Sequence, residues 1–228
     1  MFRVIFAVLS LGLAVPDQAQ PAASPAPFQS EIEAFAVTDR ASPLRPCEIL
    51  FVGSSSIRMW QSLASDMAPH RVINRGFGGS TIADVNRHFD TVIARYRPRA
   101  IFLYAGENDI DAGRSPQQVA AEFRTFMAKK TRVLGGTPVF FISLKPSKAR
   151  FEQLPRQAQV NAVVRRLAAA RADLNYVDVA SAMLAAGKPR DVFQDDALHM
   201  TDAGYRIWTR ILRPKVASAA KARCLARS

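Results

Sequence analysis

Short apolar runs alternate with amphipathic segments along most of the chain. Each run is short and ends at a turn signal, which is typical of a buried strand. Five such runs predict β-strands, over about residues 48–52, 72–75, 100–104, 139–144 and 176–179. Apolar residues at helical spacing predict helices between them, over about residues 81–96, 116–134, 156–171 and from Thr201 or Asp202 onward. Strands that alternate with helices indicate an α/β fold, with a parallel sheet covered on both faces.

A serine triplet lies directly after the first predicted strand, in residues 49–60, ILFVGSSSIRMW. Gly53 ends the apolar run, and the spacing of Ile57 and Trp60 suits the start of a helix. A strand, a sharp turn and a helix place a serine hydroxyl near backbone N–H groups and the positive end of the helix. This position suits a nucleophile whose reaction develops negative charge. The alternative is that Ser54–Ser56 only cap the helix, which is a common role for serine.

Three further polar segments fall at corresponding places in the chain. GFGGS at 76–80 follows the second strand, AGENDIDAG at 105–113 follows the third, and DALHMTDAGY at 196–205 precedes the last helix. In open parallel sheets, sites form outside the carboxyl ends of the strands, where the strand order reverses. We therefore expect these segments to meet at one edge of the sheet.

The chain has three histidines, and they differ in what surrounds them. His70 lies beside a proline in a connection, and His88 lies one turn from Asp84 on a predicted helix, so we expect both at the surface. His199 follows Asp196 by three residues. That spacing allows the carboxylate to hold one ring nitrogen while the other faces a serine. Taken alone, the pattern also fits a capped helix with a surface histidine.

In combination, the four segments resemble the SGNH hydrolases, also called GDSL-type esterases. The resemblance covers roughly residues 48–213 and is strongest to the branch related to platelet-activating-factor acetylhydrolases. It implies a three-layer α/β/α sandwich with a five-stranded parallel sheet of flavodoxin-like order 2-1-3-4-5. It also implies a serine esterase that works without a metal or cofactor.

The resemblance gives Ser55 the role of nucleophile, because Gly53-Ser54-Ser55 matches the family's Gly-Asp-Ser. Ser54 stands where the family has aspartate, which leaves Ser56 as the alternative nucleophile. Asp196 and His199 match the last family block. They resemble the orienting carboxylate and the general base. A base is needed because a serine hydroxyl is a poor nucleophile until its proton is removed.

The same resemblance supplies an oxyanion hole. The block at residues 74–79 gives Gly79 as one donor, and the block at 106–109 gives Asn108 as another. Together with the N–H of Ser55, the N–H of Gly79 and the side-chain amide of Asn108 provide three donors for a tetrahedral oxyanion. Asn108 also has an ordinary explanation, because Asn-Asp after a strand is a common turn.

The N-terminus has the pattern of a secretory signal over residues 1–20, with Arg3 before a short apolar run. Cleavage after Ala19, Ala22 or Ala23 is compatible with the sequence, and an uncleaved anchor is the alternative. A linker and an N-terminal helix are expected over residues 21–45, with the helix near 28–38, and the hydrolase domain over 46–228. We therefore expect export to the periplasm or the exterior.

Export affects how the two cysteines are interpreted. Cys47 lies just before the first strand and Cys224 in the C-terminal tail. The last helix is expected to run back toward the start of that strand, so the two thiols can pair in an oxidising compartment. Two cysteines are too few for a disulfide scaffold, and no Cys/His spacing indicates a metal site.

The net charge of +12 is spread along the chain. Nucleic-acid binders usually concentrate basic residues and aromatics on one face, so the scatter argues against such a partner. A loose, salt-sensitive contact with an anionic membrane surface is a weaker hypothesis.

We expect hydrolysis of a small-molecule or glycan ester with a small acyl group. An acyltransferase acting on a sugar hydroxyl, or a non-catalytic carbohydrate- or lipid-binding module on the same fold, are the alternatives. The sequence does not predict the oligomeric state. Arg58, Trp60, Phe77 and Lys145 are candidates for the mouth of the site, although packing or surface roles explain each of them more simply.

Overall fold

The computed structural model describes residues 28–41 and 45–224. The predicted signal over residues 1–20 lies outside the described residues. Within the described ranges, no helix is both long and apolar enough to cross a bilayer.

Five strands form one parallel sheet: β1 (Ile49–Gly53), β2 (Val72–Gly76), β3 (Ala100–Tyr104), β4 (Val139–Ile142) and β5 (Leu174–Val177). Their spatial order is β2-β1-β3-β4-β5, and each neighbouring pair is parallel. The predicted order 2-1-3-4-5 is therefore confirmed. The fifth strand lies two residues earlier than the sequence predicted, because Leu174 pairs with Val139 and Val177 with Ile142.

Helices connect these strands and cover the sheet. They are α1 (Gln29–Ala41), α2 (Ser55–Arg58), α3 (Leu63–Asp66), α4 (Ile82–Arg87), α5 (Phe89–Val92), α6 (Glu107–Asp111), α7 (Pro116–Leu134), α8 (Leu154–Ala169) and α9 (Asp202–Ala219). A small antiparallel hairpin of β6 (Leu184–Ala185) and β7 (Lys188–Pro189) lies between β5 and α9.

The alternation of side chains along the strands divides the core into two layers. Leu50 and Val52 of β1 pack with residues from α1, α4, α5, α7 and α8 on one face of the sheet. Ile49 and Phe51 pack with residues from α2, α3 and α9 on the other face. Successive strand residues point to opposite faces, so the apolar residues of a doubly covered strand contribute to both layers of the core. The three-layer sandwich follows from this pattern.

The prediction of one continuous helix over residues 81–96 is wrong, but the side chains predicted to face the core do so. It is divided into α4, α5 and a 3₁₀ turn, Ala94–Tyr96. The break falls at His88, whose backbone (φ −92°, ψ 9°) is not helical. Ile82, Val85, Phe89 and Ile93 are nevertheless fully buried, as the spacing predicted.

Three strands end at the same edge of the sheet, where Gly53 pairs with both Gly76 and Tyr104. Gly53 has φ +137°, and a Cβ at this position would lie 1.9 Å from the Tyr104 carbonyl oxygen. Only glycine permits that approach without displacing β3. The loops after β1, β2 and β3 therefore start side by side.

A disulfide joins Cys47 and Cys224 at the opposite end of the sheet, with their Cα atoms 5.6 Å apart. Arg99 connects the same two segments, since it donates to the carbonyls of Cys47 at 3.2 Å and Ala220 at 2.5 Å. Helix α9 thus returns to the start of β1, as expected from the sequence.

Candidate active site

The serine triplet after β1 presents one hydroxyl to the edge of the sheet. Ser54 occupies the N-cap position of α2, but its side chain makes no capping hydrogen bond. Ser54 and Ser56 are each only 3% exposed, whereas Ser55 is partly exposed. The Ser55 hydroxyl lies 2.9 Å from Nε2 of His199. Ser55 is therefore the member of the triplet that can meet both a base and a substrate.

The loop before α9 holds His199 against Asp196. His199 Nδ1 lies 2.5 Å from Asp196 Oδ2, and Asp196 Oδ1 accepts the backbone N–H groups of Leu198 and His199, both at 2.9 Å. The His199 carbonyl in turn accepts the N–H of Gln194 at 2.7 Å. These contacts fix the imidazole from the side opposite Ser55.

The charge of Asp196 determines which nitrogen of the ring carries the proton. Desolvation raises the pKa of Asp196, but hydrogen bonds from the His199 ring and from the backbone outweigh it and lower the pKa to about 2. An ionised carboxylate only accepts hydrogen bonds, so Nδ1 of His199 must donate to it. Nε2 of the neutral ring is then free to accept the Ser55 proton.

The turns after β1 and β2 each contain a backbone N–H group that was predicted as an oxyanion donor. Within the part of the chain that the structure describes, the N–H groups of Ser55 and Gly79 have no hydrogen-bond acceptor. Gly79 has φ +77°, and a Cβ there would meet nothing within 4 Å. The positive φ angle, rather than a lack of space for a side chain, therefore explains why this position is glycine.

Asn108, on α6, brings its amide to the loop that follows β2. Its Nδ2 donates to the Ser80 carbonyl at 3.0 Å, which uses one of the two amide hydrogens. Its Oδ1 accepts from Nη1 of Arg150 at 2.9 Å. Among the described residues, the second Nδ2 hydrogen has no acceptor.

Asn74 fixes β2 against α2, a role that the sequence did not reveal. Its Nδ2 donates to the Ile57 carbonyl at 2.6 Å, and its Oδ1 accepts the Gly76 N–H at 2.9 Å. A Cβ on Gly76 would lie 2.2 Å from the backbone nitrogen of Arg58, so this close contact between β2 and α2 requires glycine. The serine turn and the loop after β2 are therefore held together below Ser55.

Three of the four candidates for the mouth of the site are buried, in agreement with the packing roles that the sequence favoured. Trp60 is 1% exposed and Phe77 is fully buried, so both belong to the core. Lys145 is 1% exposed and pairs with Glu107 at 2.8 Å, which places it beneath the surface. Arg58 is half-exposed and lies against Gly78. His70 and His88 are both partly exposed, and neither contacts Ser55 or His199.

The sequence of residues 49–207 matches the family of GDSL-like lipases and acylhydrolases. The chain belongs to this family. The match spans β1 to α9 and includes all four loops described above. Membership supports an enzyme that hydrolyses acyl esters. No curated protein matches the chain by sequence.

Solved structures support the fold at low sequence identity. A Streptococcus pneumonia protein, provisionally described as a platelet activating factor, is 21% identical with a TM-score of 0.72, over 82% of this chain and 92% of that one. A Bacteroides fragilis protein, provisionally described as an acylhydrolase, is 17% identical with a TM-score of 0.73, over 85% and 99%. A carbohydrate esterase of family 3 from Talaromyces cellulolyticus is 15% identical with a TM-score of 0.63, over 77% and 98%.

Proposed function

We propose that the protein is an exported serine esterase that hydrolyses carboxylic esters with small acyl groups. The observation that carries the proposal is the hydrogen-bonded series Ser55–His199–Asp196 at the rim of the sheet, with distances of 2.9 and 2.5 Å. A hydroxyl, an imidazole and an ionised carboxylate in this order are the parts of a nucleophile with its base.

The first half of the reaction forms an acyl-enzyme. Ser55 Oγ bonds to the ester carbonyl carbon while its proton passes to His199 Nε2, and the carbonyl π electrons move to oxygen. The resulting oxyanion receives hydrogen bonds from the N–H groups of Ser55 and Gly79 and from Asn108 Nδ2. The oxyanion then re-forms the carbonyl, the bond to the alcohol oxygen breaks, and His199 returns its proton to that oxygen. Asp196 stabilises the imidazolium in the meantime.

The second half repeats these steps with water. Water loses a proton to His199 Nε2 as its oxygen attacks the acyl carbon, and the same three donors hold the oxyanion. Collapse breaks the bond to Ser55 Oγ, which recovers the proton and releases the carboxylic acid. A sugar hydroxyl in place of water would give the alternative acyltransferase reaction.

The distribution of exposed apolar side chains supports a small acyl group. Among the described residues, the exposed large hydrophobic side chains are those of Val37, Val133 and Phe151, which belong to three different elements. A long acyl chain would need a continuous apolar surface. The similarity to a carbohydrate esterase supports acylated glycans as one substrate class.

Export is supported by the Cys47–Cys224 disulfide, since such bonds persist in oxidising compartments. Cell fractionation with N-terminal sequencing of the mature protein tests this part. A mature protein that starts between residues 20 and 24 is expected, and an intact N-terminus in the cytoplasmic fraction would contradict it.

Nitrophenyl esters of increasing chain length, together with acetylated glycans, test the activity. Ser55→Ala should lower turnover of the acetate ester by about a thousandfold or more, and Ser56→Ala is the matched control that should retain it. The opposite result would reassign the nucleophile to Ser56, and undiminished activity in both variants would remove the proposal. Product analysis with added sugars separates hydrolysis from acyl transfer.

A further inference from the structure

Arg150 reaches helix α6 from the connection between β4 and α8. Its Nη1 donates to Asn108 Oδ1 at 2.9 Å, and its Nη2 lies 2.6 Å from Asp111 Oδ2. Glu107 Oε1 lies 3.7 Å from Nη1. The Arg150 side chain is only 14% exposed although no strand or helix contains it. A long cationic side chain loses considerable freedom when it is held at several points, so the arrangement needs a reason.

These contacts leave the Asn108 amide with one favourable orientation. The amide oxygen faces a guanidinium, which can only donate, and the amide nitrogen faces the Ser80 carbonyl, which can only accept. Rotation of the amide by 180° would oppose donor to donor and acceptor to acceptor. The free Nδ2 hydrogen therefore has a fixed direction.

A buried ion pair between Glu107 and Lys145 holds α6 in place next to the Arg150–Asn108 contact. Glu107 is 3% exposed and accepts from Lys145 Nζ at 2.8 Å and from the Tyr104 hydroxyl. Burial and the Glu107 charge raise the pKa of Tyr104 well above its usual value, so its hydroxyl stays a donor. The segment 145–150 is therefore attached to α6 at both ends, through Lys145 and through Arg150.

The same segment also contacts the histidine loop. The N–H of Ala149, next to Arg150, donates to the Ala197 carbonyl at 2.9 Å. Ala197 lies between Asp196 and His199. The connection after β4 therefore bridges the loop with the base and the helix that presents the amide donor.

We propose that Arg150 is a positioning residue for ester hydrolysis, which fixes and polarises the Asn108 amide as an oxyanion donor. The inference rests on the proposed function. A cation bound at the amide oxygen withdraws electron density from nitrogen and strengthens its remaining N–H as a donor. Because negative charge develops on the substrate oxygen only in the transition state, the contribution should appear in kcat rather than in KM.

The test compares Arg150→Met and Arg150→Lys with Arg156→Met, a matched control. Arg156 is an arginine of the adjacent helix whose Nη2 donates to the Arg114 carbonyl at 2.7 Å, away from Asn108. Arg150→Met should lower kcat by about 10- to 100-fold with KM changed by less than about threefold, below the loss of a complete donor. Arg150→Lys should recover part of the loss, and Arg156→Met should behave as wild type.

A double-mutant cycle makes the coupling explicit. If Arg150 acts through the amide, Arg150→Met should cost nothing further in an Asn108→Ala background. A boronic acid that forms the tetrahedral adduct should lose affinity in Arg150→Met in proportion to kcat. Asp111→Asn removes the charge of the carboxylate that pairs with Arg150 Nη2 and should leave kcat within about threefold of wild type.

Several results would overturn the inference. Equal kcat for Arg150→Met and wild type, an equal loss in the Asn108→Ala background, or a loss confined to KM would each do so. A loss in Asp111→Asn as large as that in Arg150→Met would show a general effect on the segment instead. If Ser55→Ala and Asn108→Ala abolish turnover while Arg150→Met does not change it, only this inference fails and the proposed function stands.

Discussion

The carboxylate of Glu31 accepts the backbone N–H of Gly78, at 3.1 and 3.2 Å from its two oxygens. Glu31 lies on α1, which precedes the whole sheet, and Gly78 is the neighbour of the proposed oxyanion donor Gly79. Arg58 pairs with the same carboxylate at 3.3 Å and lies against Gly78. Helix α1, which precedes β1 in the chain, therefore supports the loop that contains the proposed oxyanion donor Gly79.

We expect Glu31→Ala to lower kcat by about three- to tenfold, roughly 1 kcal/mol of transition-state stabilisation. The Gly78 N–H would lose its charged acceptor, and the next peptide would be held less firmly. Glu31→Gln retains an acceptor and should keep most of the activity. Steady-state kinetics on a short-chain ester provide the measurement.

Glu33→Ala is the control for this variant, because Glu33 lies on the same helix and contacts only Gln29 among the described side chains. Wild-type kcat in Glu31→Ala, or the same loss in Glu33→Ala, would mean that α1 has no specific influence on the loop.

Residue patterns predicted the sheet best at β1, β3 and β4, because these strands are buried along their whole length and consist almost entirely of apolar residues. Position along the chain also predicted the rim, since strand ends and the loops after them are local features. The contacts of Glu31, Arg150 and Lys145 could not be predicted in this way. Each joins segments far apart in the chain, and a charged residue in a polar segment has the same appearance whether it is solvated or buried.

Two element boundaries differ from those predicted. The apolar residues Val177 and Val179 favoured a later fifth strand, but hydrogen-bond register with β4 places the strand at Leu174–Val177. His88 interrupts a helical pattern that remains apolar on both sides of it. For the fifth strand, pairing with β4 rather than local preference determined where the element begins and ends.

We expect Asp39→Asn to destabilise the fold by about 3–5 kcal/mol, the usual effect of removing one partner of a buried ion pair. Asp39 and Arg75 form an ion pair with side chains 11% and 7% exposed, and Tyr96 donates to Asp39 at 2.7 Å. The substitution would leave the Arg75 guanidinium buried without a counter-charge. Chemical denaturation followed by circular dichroism measures the change.

Asp90→Asn serves as the comparison, since Asp90 forms an ion pair with Lys129 at 3.4 Å but its side chain is 73% exposed. Its effect should be below about 1 kcal/mol. Equal stability of Asp39→Asn and Asp90→Asn would contradict a stabilising role for the buried Asp39–Arg75 pair.

Asp109 should make the free energy of unfolding depend on pH. Burial raises its pKa to about 6, and hydrogen bonds from the Ile82 N–H at 3.2 Å oppose the rise only in part. The folded protein therefore binds a proton that the unfolded chain has released above its ordinary pKa of 3.8. This contribution is fully present below pH 4 and is lost as the pH rises to 6, with a total of about 3 kcal/mol.

The difference in stability between Asp109→Asn and wild type isolates this group from other titrations. From pH 4 to pH 6.5 the variant should gain stability relative to wild type by about that amount, and the difference should then stay constant. Denaturation curves at half-unit pH intervals give the values. A constant difference across the whole range would show that Asp109 titrates normally.

The Cys47–Cys224 disulfide should stabilise the fold without affecting catalysis. It closes a loop of 177 residues, for which the chain-entropy account gives about 5 kcal/mol, often less in practice. The bond lies at the end of the sheet opposite Ser55, and Arg99 holds both segments independently. Cys47→Ala with Cys224→Ala should therefore lower the midpoint of thermal unfolding while kcat at 25 °C stays within about twofold of wild type. Thiol titration of unreduced protein under denaturing conditions should detect no free thiol. Two free thiols, or a loss of kcat in a variant that is still folded, would be incompatible with this role.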